Sequence, residues 1–585
     1  MRGIYGWFGV TSGVLSVFIQ STANATEEGK KLPTASILEA NSQKLPLLLR
    51  GHNELLMSAS PKPEFDYQDF GFWSNQCSVL ENAQKYDDAL AACERAIALK
   101  PKGKNVDLWT SRSNALMKLE KYAEAVVSYN QVLKTSPKNS FALTQRCEAL
   151  STLGNQEDAI ASCEEALQVN GNWGNVTPAV TWYNRGLALK KLTQNEEAIA
   201  SFERASLIDT EYSAAFAQSC STLMDLRRYE EALKSCETAI ETDKNWERAT
   251  PAVAWKNKAL ALMKLGKLQA AVTAYEKGLE LNPNDDAISW YNLGTIQHKF
   301  GQYEKALKSY SKAIEINPKY SLALARQADT FNQLHNYQQA LASCDRAIAG
   351  DGIWSETSPA YVWHQRSSAL LGLQKYEEAL ASAEQALVIK QDYAEAWNNK
   401  GVSLWNLEKY QEAQVATKKA TDINPKYVQA WFNYGRILST LKQYQQAVIA
   451  YNKALIINIH SKDKLTRASI QANKGAALWH LKEYNNALQA TNKALDNNPK
   501  SLEALYNKGV ILLDLKEYDR ALEAYNQAES INPNNPYILT GIGMALAAKG
   551  EYQKALQIFE EALNINPNNV VAQKQRENLL KQLKV

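Results

Sequence analysis

The segment 375–390, KYEEALASAEQALVIK, decides the fold, because near copies of it recur from one end of the chain to the other. Three of these copies are KYDDALAACERAIALKP at 85–101, QYEKALKSYSKAIEINP at 302–318 and EYDRALEAYNQAESINP at 517–533. Each copy follows a second apolar segment, such as AEAWNNKGVSLWNLEKY at 394–410, which gives a unit of about 34 residues. A period of this length is typical of a stacked array in which each unit contacts only its neighbours.

The composition is that of a folded protein with balanced charge. The chain has 585 residues, 45% of them hydrophobic, and a formal net charge of +3 at pH 7. Because acids and bases are nearly equal in number, no nucleic-acid partner is predicted. A chain of this length normally forms several globular domains, but a stacked array has no such limit on its size.

Residues 1–25 differ from everything after them. Arg2 is followed by the mostly apolar IYGWFGVTSGVLSVFI and then by Ala23-Asn24-Ala25, which are the three parts of a secretory signal peptide. The sequence therefore predicts an exported protein, periplasmic or otherwise extracytoplasmic. Two alternatives stay open: an uncleaved signal anchor, which would be the one contact with a membrane, and a buried N-terminal capping helix.

The repeating unit has a fixed pattern of small and aromatic residues. With Ala394 as position 1, the pattern is Trp397 at 4, Gly401 at 8, Leu404 at 11, Tyr410 at 17, Ala413 at 20, Ala420 at 27 and Pro425 at 32. A small residue at position 8 lets two helices approach closely, and a proline near position 32 ends the second helix. This pattern resembles the tetratricopeptide repeat. Fourteen consecutive units carry it, and they start at Phe70, Val106, Ser140, Ala179, Ser213, Ala252, Ala287, Ser321, Ala360, Ala394, Val428, Ala468, Leu502 and Pro536.

The resemblance covers residues 70–569 and implies an all-α fold, a right-handed superhelical solenoid of helix hairpins. Residues 570–585 are predicted to form an amphipathic helix that caps the exposed end of the stack. Residues 26–69 carry no copy of the unit and contain four prolines, so they are predicted to be an irregular linker.

The cysteines fall at two positions of the unit. Cys77, Cys147 and Cys220 are at position 8, whereas Cys93, Cys163, Cys236 and Cys344 are at position 24. In a hairpin whose turn centres near position 16, position 8 faces position 24. In an oxidising compartment, the pairs Cys77–Cys93, Cys147–Cys163 and Cys220–Cys236 are therefore candidate disulfides. The alternative is that they are buried free thiols, copied together when one two-repeat block was duplicated.

The sequence contains no recognisable catalytic or metal-binding motif. None of the six histidines belongs to an H-E-x-x-H pattern, and neither a G-x-x-x-x-G-K-[ST] loop nor a G-x-S-x-G elbow occurs. No C-x-x-C pair or His-Cys cluster suggests a metal. An enzyme is therefore not predicted, and no cofactor is expected.

The resemblance also implies that the first helix of each hairpin lines a concave groove, with positions 2, 5, 6, 9, 12 and 13 facing it. Position 6 is asparagine in eight units, namely Asn75, Asn184, Asn257, Asn292, Asn399, Asn433, Asn473 and Asn507. An amide can pair with both the N–H and the C=O of an extended peptide, which predicts an asparagine ladder. The alternative is that Asn is simply common at this position and serves contacts inside the protein. Aromatic residues accompany the row, namely Tyr183, Tyr291, Phe432 and Tyr506 at position 5 and Trp405 and Trp479 at position 12.

These features predict a non-catalytic scaffold that binds an extended or helical segment of another protein in the groove. One alternative is an exported module for a glycan or another envelope ligand, and a second is the regulatory arm of an enzyme complex. The Lys and Asn pattern with which relatives clamp a chaperone's terminal carboxylate is absent, since Lys256 and Asn114 match it only singly and in different units. The identity of the partner cannot be read from the sequence.

Overall fold

The computed structural model describes residues 69–99, 103, 105–247, 249–284, 286–354, 357–459 and 463–583. The predicted signal peptide and the linker up to residue 68 therefore lie outside the described residues. The described residues form twenty-nine α-helices and no strand. This confirms the predicted all-α fold of paired helices, whereas the right-handed superhelix stays a prediction.

The described residues divide into two compact units, the N-terminal unit (69–297) and the C-terminal unit (298–583). The N-terminal unit contains α1 (Phe70–Asn82), α2 (Tyr86–Ala98), α3 (Val106–Lys118), α4 (Tyr122–Thr135), α5 (Ser140–Leu153), α6 (Gln156–Val169), α7 (Pro178–Lys191), α8 (Asn195–Ile208), α9 (Ser213–Asp225), α10 (Tyr229–Thr242), α11 (Pro251–Lys264), α12 (Leu268–Leu281) and most of α13 (Ala287–Lys299).

The C-terminal unit contains α14 (Tyr303–Ile316), α15 (Ser321–Gln333), α16 (Tyr337–Ile348), α17 (Ala360–Gly372), α18 (Tyr376–Ile389), α19 (Ala394–Asn406), α20 (Tyr410–Ile423), α21 (Val428–Thr440), α22 (Tyr444–Ile457), α23 (Lys464–His480), α24 (Tyr484–Asn497), α25 (Leu502–Asp514), α26 (Tyr518–Ile531), α27 (Pro536–Lys549), α28 (Tyr552–Ile565) and α29 (Val570–Leu583). From α1 to α28 the odd-numbered helices are the first helices of the repeats and the even-numbered ones are the second helices, and α29 follows the last repeat.

The turn inside each hairpin has the same backbone signature. Position 15 has a positive φ in all fourteen repeats, between 59° and 92°. This left-handed conformation ends the first helix and lets the chain reverse into the second. Four of these residues are glycine, namely Gly154, Gly266, Gly301 and Gly550, and the others are ordinary L-residues.

The core of each hairpin is built on small residues where the two helices are closest. Position 20 is alanine in every repeat, and its side chain is fully buried in all fourteen. A glycine at position 8 makes room for a large ring at position 24 of the same hairpin. A Cβ atom on Gly435 would lie 2.5 Å from the Tyr451 ring, and one on Gly509 would lie 2.5 Å from the Tyr525 ring. Positions 8 and 24 are therefore in direct contact across the hairpin.

Three repeats are followed by an inserted loop that contains a Trp and a Pro, and each of the three begins with a buried serine. Ser321 donates from its Oγ to the Ala347 carbonyl (2.9 Å) and accepts from the Gly352 N–H in the inserted loop (3.1 Å). Ser140 accepts in the same way from the Gly171 N–H (3.1 Å). The third serine, Ser213, accepts from the Lys244 N–H (3.0 Å). The hydroxyl at position 1 thus anchors each insertion to the repeat that precedes it.

The last described helix, α29, covers the end of the C-terminal unit. Its Ala572 and Leu579 are 0% and 4% exposed and belong to a hydrophobic cluster with side chains of α25 to α28. Arg576 pairs with Glu560 of α28 (2.9 Å) on the solvent side. Among the described helices, none combines the length and the hydropathy that crossing a bilayer would require.

Candidate functional site

In the C-terminal unit, each first helix from α15 to α27 contacts the next first helix directly. Side chains at positions 2, 5, 6, 9, 12 and 13 of successive repeats are therefore neighbours, and we call their surface the first-helix face. Most of the predicted site residues lie on this face, from Asn399 on α19 to Asn507 on α25.

The predicted row of four consecutive asparagines ties neighbouring first helices together. Asn399 and Asn433 are each only 6% exposed, and Asn473 and Asn507 are partly exposed. The amide nitrogens of Asn399, Asn433, Asn473 and Asn507 donate, in that order, to Ser368 Oγ (2.8 Å), Asn398 Oδ1 (2.9 Å), Glu503 Oε1 (2.9 Å) and the Ala472 carbonyl (3.3 Å). Every acceptor is on an adjacent repeat, so the row sets the spacing of the face. Further bonds within the protein use more of the amide capacity, since Asn399 also contacts His364 Nδ1 (3.2 Å), Asn473 also donates to the Ser469 carbonyl (3.0 Å), and Asn433 Oδ1 accepts from Gln429 (3.3 Å).

Two of the predicted aromatic residues meet around Arg436 of α21. The Arg436 guanidinium lies 4.5 Å from the centre of the Trp405 ring and 5.8 Å from that of Phe432. The Trp405 Nε1–H donates to Thr440 Oγ1 (3.0 Å). This group, the Arg436 cluster, joins α19 to α21 by a cation–π contact. Because the guanidinium covers one face of Trp405, the ring does not offer that face to a stacked sugar.

The other two predicted aromatics of the C-terminal unit, Trp479 and Tyr506, line one cavity of about 80 Å³ between α23, α25 and α27. The Trp479 Nε1–H donates to Asp514 Oδ2 (2.6 Å). Tyr506 packs edge-on against the buried Tyr525, with ring centres 5.8 Å apart. Burial raises the pKa of Asp514, and the hydrogen bond from Trp479 lowers it in part. Asn507 also lines this cavity.

A carboxyl group that was not predicted lies near the Arg436 cluster. Glu503, at position 2 of α25, is mostly buried and accepts a hydrogen bond from Asn473. Burial raises the pKa of Glu503 to about 7, and the charge of Arg436 and the Asn473 amide lower it in part. The carboxyl therefore titrates near neutral pH.

A second polar cluster, also missed, occupies the face on α15 and α17. Tyr361 donates to Asp329 Oδ2 (2.6 Å), and Arg326 donates to the Tyr361 hydroxyl (2.9 Å). His298 Nε2 lies 3.6 Å from the same carboxylate. Burial lowers the pKa of the neighbouring His364 to about 4, so that its ring is neutral at pH 7. The signal in the sequence was the replacement of Asn and small residues by Arg and Asp at positions 6 and 9.

In the N-terminal unit, Tyr183 and Asn184 belong to the core rather than to an accessible surface. Tyr183 is 3% exposed, and its ring packs 5.9 Å from Phe202 and 5.1 Å from Tyr212, measured between ring centres. Asn184 beside it is 6% exposed. Packing against the second helix takes the space that a ligand would need, so these two residues do not form part of a groove surface.

The other predicted residues of the N-terminal unit are more accessible. Asn257, Tyr291 and Asn292 are partly exposed. The Asn292 amide donates to the hydroxyl of Tyr275, which belongs to the preceding repeat (3.1 Å).

The paired cysteines lie across their own hairpins. Cys77 and Cys93, Cys147 and Cys163, and Cys220 and Cys236 have Cα–Cα distances of 4.9, 5.4 and 5.3 Å, with the sulfur atoms at bonding distance. All six side chains are fully buried. The seventh, Cys344, is a buried free thiol whose pKa is raised by burial. No group of His, Cys, Asp and Glu among the described residues is arranged to hold a metal ion.

Family models described as tetratricopeptide repeat match the chain at 75–140, 179–212, 252–285, 287–320, 360–393, 394–427, 416–449, 502–535 and 536–569. Together these ranges cover more than half of the sequence. The matches confirm the resemblance inferred from the spacing of small and aromatic residues.

Individual relatives are distant. The chain is 27% identical over 169 residues to a DnaJ homolog subfamily C member 7 homolog of Schizosaccharomyces pombe, covering 27% of the chain and 35% of that protein. It is 23% identical over 202 residues to the Hsp70-Hsp90 organizing protein 1 of Glycine max, covering 29% and 34%. The matches thus span about a third of the length of these curated relatives.

Among solved structures, the Cut9 and Hcn1 hetero-tetramer of the APC/C matches with a TM-score of 0.41 and 16% identity, over 87% of this chain and 96% of that one. The structure of YrrB, described as a TPR protein with an unusual peptide-binding site, matches with a TM-score of 0.28 and 20% identity, over 33% and 97%.

Proposed function

Because the chain belongs to the tetratricopeptide repeat family, we propose that it is a non-catalytic scaffold that binds an extended or helical segment of another protein. The segment lies on the first-helix face of the C-terminal unit, between the Arg436 cluster and the cavity beside Trp479. The single observation that carries this proposal is that the asparagine row and four aromatic side chains, from different repeats, lie on one face of adjacent first helices. Many weak contacts of this kind add up along a chain held at several points.

The two kinds of side chain have different roles in this proposal. Trp405, Phe432, Trp479 and Tyr506 supply apolar area, which is where the binding energy of such interfaces is concentrated. The buried Asn399 and Asn433 fix the spacing of the helices, and the partly exposed Asn473 and Asn507 can also turn an amide oxygen to a peptide backbone N–H. One relative is named for Hsp70 and Hsp90, but the paired Lys and Asn of a carboxylate clamp are not present here, so we propose a partner that is recognised along its length.

The test is peptide capture by the full chain. The immobilised wild type is offered a degenerate library of short peptides, and retained peptides are identified by mass spectrometry. We expect the double variant Trp405→Ala and Trp479→Ala to lose about tenfold or more in affinity, since each large aromatic buries an area worth a few kcal/mol. The matched control is Val388→Ala with Ile456→Ala, two side chains that are 75% and 65% exposed on second helices.

Two results would contradict the proposal. One is that the wild type enriches no peptide over a blank support. The other is that it enriches peptides equally well with and without the two tryptophans, while the thermal midpoints of the variants stay equal. Retention of a glycan instead of peptides would favour the envelope-ligand alternative.

We also propose that the protein functions in an oxidising compartment outside the cytoplasm. The signal-like residues 1–25 and the three close cysteine pairs support this, because disulfides persist in exported proteins and are rare in reducing compartments. The mass of the purified protein before and after thiol alkylation under denaturing conditions checks it: one alkylated thiol is expected without reduction and seven after it.

A further inference from the structure

The cavity beside Trp479 is a built feature of the last repeats, and we call it the terminal pocket. Its walls are the rings of Trp479, Tyr506 and Tyr525, and its floor includes Val510 and Met544. Its volume is about 80 Å³. Since one water molecule occupies roughly 10–15 Å³ on this measure, the pocket has room for about five non-hydrogen atoms. This is the size of an aliphatic side chain such as Leu, Ile or Met.

The pocket exists because α27 departs from the pattern of the preceding repeats. Positions 5 and 6 are Tyr506 and Asn507 on α25 but Thr540 and Gly541 on α27. Both small residues are buried and line the pocket. A Cβ atom on Gly541 would lie 2.6 Å from the Tyr525 ring, so the glycine lets the ring stand where it forms a wall. Thr540 and Gly541, in place of the larger pair that α25 carries, leave the space unfilled.

One end of the pocket carries a negative charge. Asp514 is partly exposed, and its carboxylate is held by the Trp479 Nε1–H. His480 also lines the pocket, and burial lowers its pKa, so its ring is neutral at pH 7. Among the lining residues, Asp514 is therefore the acidic group, and a cation placed beside it would favour its ionised form and replace part of the hydration that burial removes.

We propose that the terminal pocket takes an aliphatic side chain of a bound peptide, and that Asp514 pairs with a Lys or Arg adjacent to that side chain. This inference rests on the proposed peptide-binding function and names the class of peptide that the C-terminal end of the face selects. Apolar walls with one acidic end are complementary to an apolar residue followed or preceded by a basic one.

The experiment compares variants of the full chain in the same peptide library. Thr540→Tyr fills the pocket with the aromatic type that position 5 carries in α25, and Ser530→Tyr adds the same bulk on the exposed side of α26 as a control. Asp514→Asn removes the charge but keeps an acceptor for Trp479. Asp422→Asn, on an exposed surface of α20, is its control.

We expect wild type and both controls to enrich peptides with an aliphatic residue next to Lys or Arg. Thr540→Tyr should bind these peptides about tenfold or more weakly, the loss expected when one such side chain stays unburied. Asp514→Asn should keep the preference for the aliphatic residue and lose the preference for the adjacent base. If the wild type enriches peptides but Thr540→Tyr and Asp514→Asn select the same ones, the pocket inference is wrong and the scaffold function stands. If the wild type enriches none, the scaffold function itself fails.

Discussion

Glu503 shows how a single residue on the face links binding geometry to stability. Its carboxyl is mostly buried, and the pKa of about 7 lies above the ordinary value of 4.5. Between these two pH values the folded chain holds more protons than the unfolded chain. The free energy of unfolding therefore falls as the pH rises from about 4.5 to 7, because ionising the buried group costs more than ionising the exposed one.

We expect Glu503→Gln to remove this loss while keeping an oxygen that accepts from Asn473. Each unit of pKa shift corresponds to about 1.4 kcal/mol, so the variant should gain on the order of 1–3 kcal/mol over wild type at pH 8 and little at pH 4.5. Thermal midpoints of both proteins across this range measure it. Glu395→Gln, at the same repeat position of α19, is the control. An equal gain at both pH values would show that the gain has another cause.

The sequence predicted which side chains lie on the first-helix face better than it predicted what each of them contacts there. Spacing alone placed Trp479 and Tyr506 on neighbouring repeats, and they line one pocket. The same rule placed Tyr183 on the face, but Tyr183 is buried, because it packs against Tyr212 as well as against Phe202 of its own hairpin. The hydrogen bond from Asn433 to Asn398 depends on the distance between two helices, which no single repeat encodes.

At the scale of elements, the serines at position 1 explain how the array accommodates insertions. Among the fourteen starting residues, serine occurs at Ser140, Ser213 and Ser321, and these are the repeats followed by inserted loops with a Trp and a Pro. The starting residues can be read from the sequence, but their connection with the insertions cannot. The connection needed the structure, since the serine and the loop that it anchors are about thirty residues apart.

We expect Ser321→Ala to loosen the loop after α16. The substitution removes the hydroxyl that accepts from the Gly352 N–H and donates to the Ala347 carbonyl. Leaving these two groups buried without a partner lowers the free energy of unfolding by about 1–3 kcal/mol. Hydrogen exchange of residues 350–354 should become faster while exchange in the loops after α6 and α10 stays unchanged. Ser140→Ala and Ser213→Ala serve as reciprocal controls, each affecting its own loop. Equal exchange in all three loops for all three variants would contradict the anchoring role.

At the scale of the whole molecule, the two units differ in how they are held together. All three cysteine pairs lie in the N-terminal unit, whereas the C-terminal unit holds the buried thiol of Cys344 and the aromatic rings of Tyr451, Tyr525 and Phe559 at position 24. In three repeats of the N-terminal unit a pair of sulfurs thus occupies the place that a ring, such as Tyr129 or Phe202, takes in other repeats. Reduction should therefore act on one unit only.

We expect a reducing agent to lower the thermal midpoint of the N-terminal unit and to leave that of the C-terminal unit unchanged. Each pair closes a chain segment with a sequence separation of 16, and in the chain-entropy model such a loop stabilises by about 3 kcal/mol. Hydrogen exchange during thermal unfolding, followed separately for α5–α6 and for α21–α22, resolves the two units. Cys344→Ala should respond to the reductant as wild type does, because its thiol has no bond to lose. If the midpoint of α5–α6 does not move under full reduction, the cysteine pairs stabilise the unit only as small buried side chains. If the midpoints of both units shift equally, the reductant does not act through the cysteine pairs.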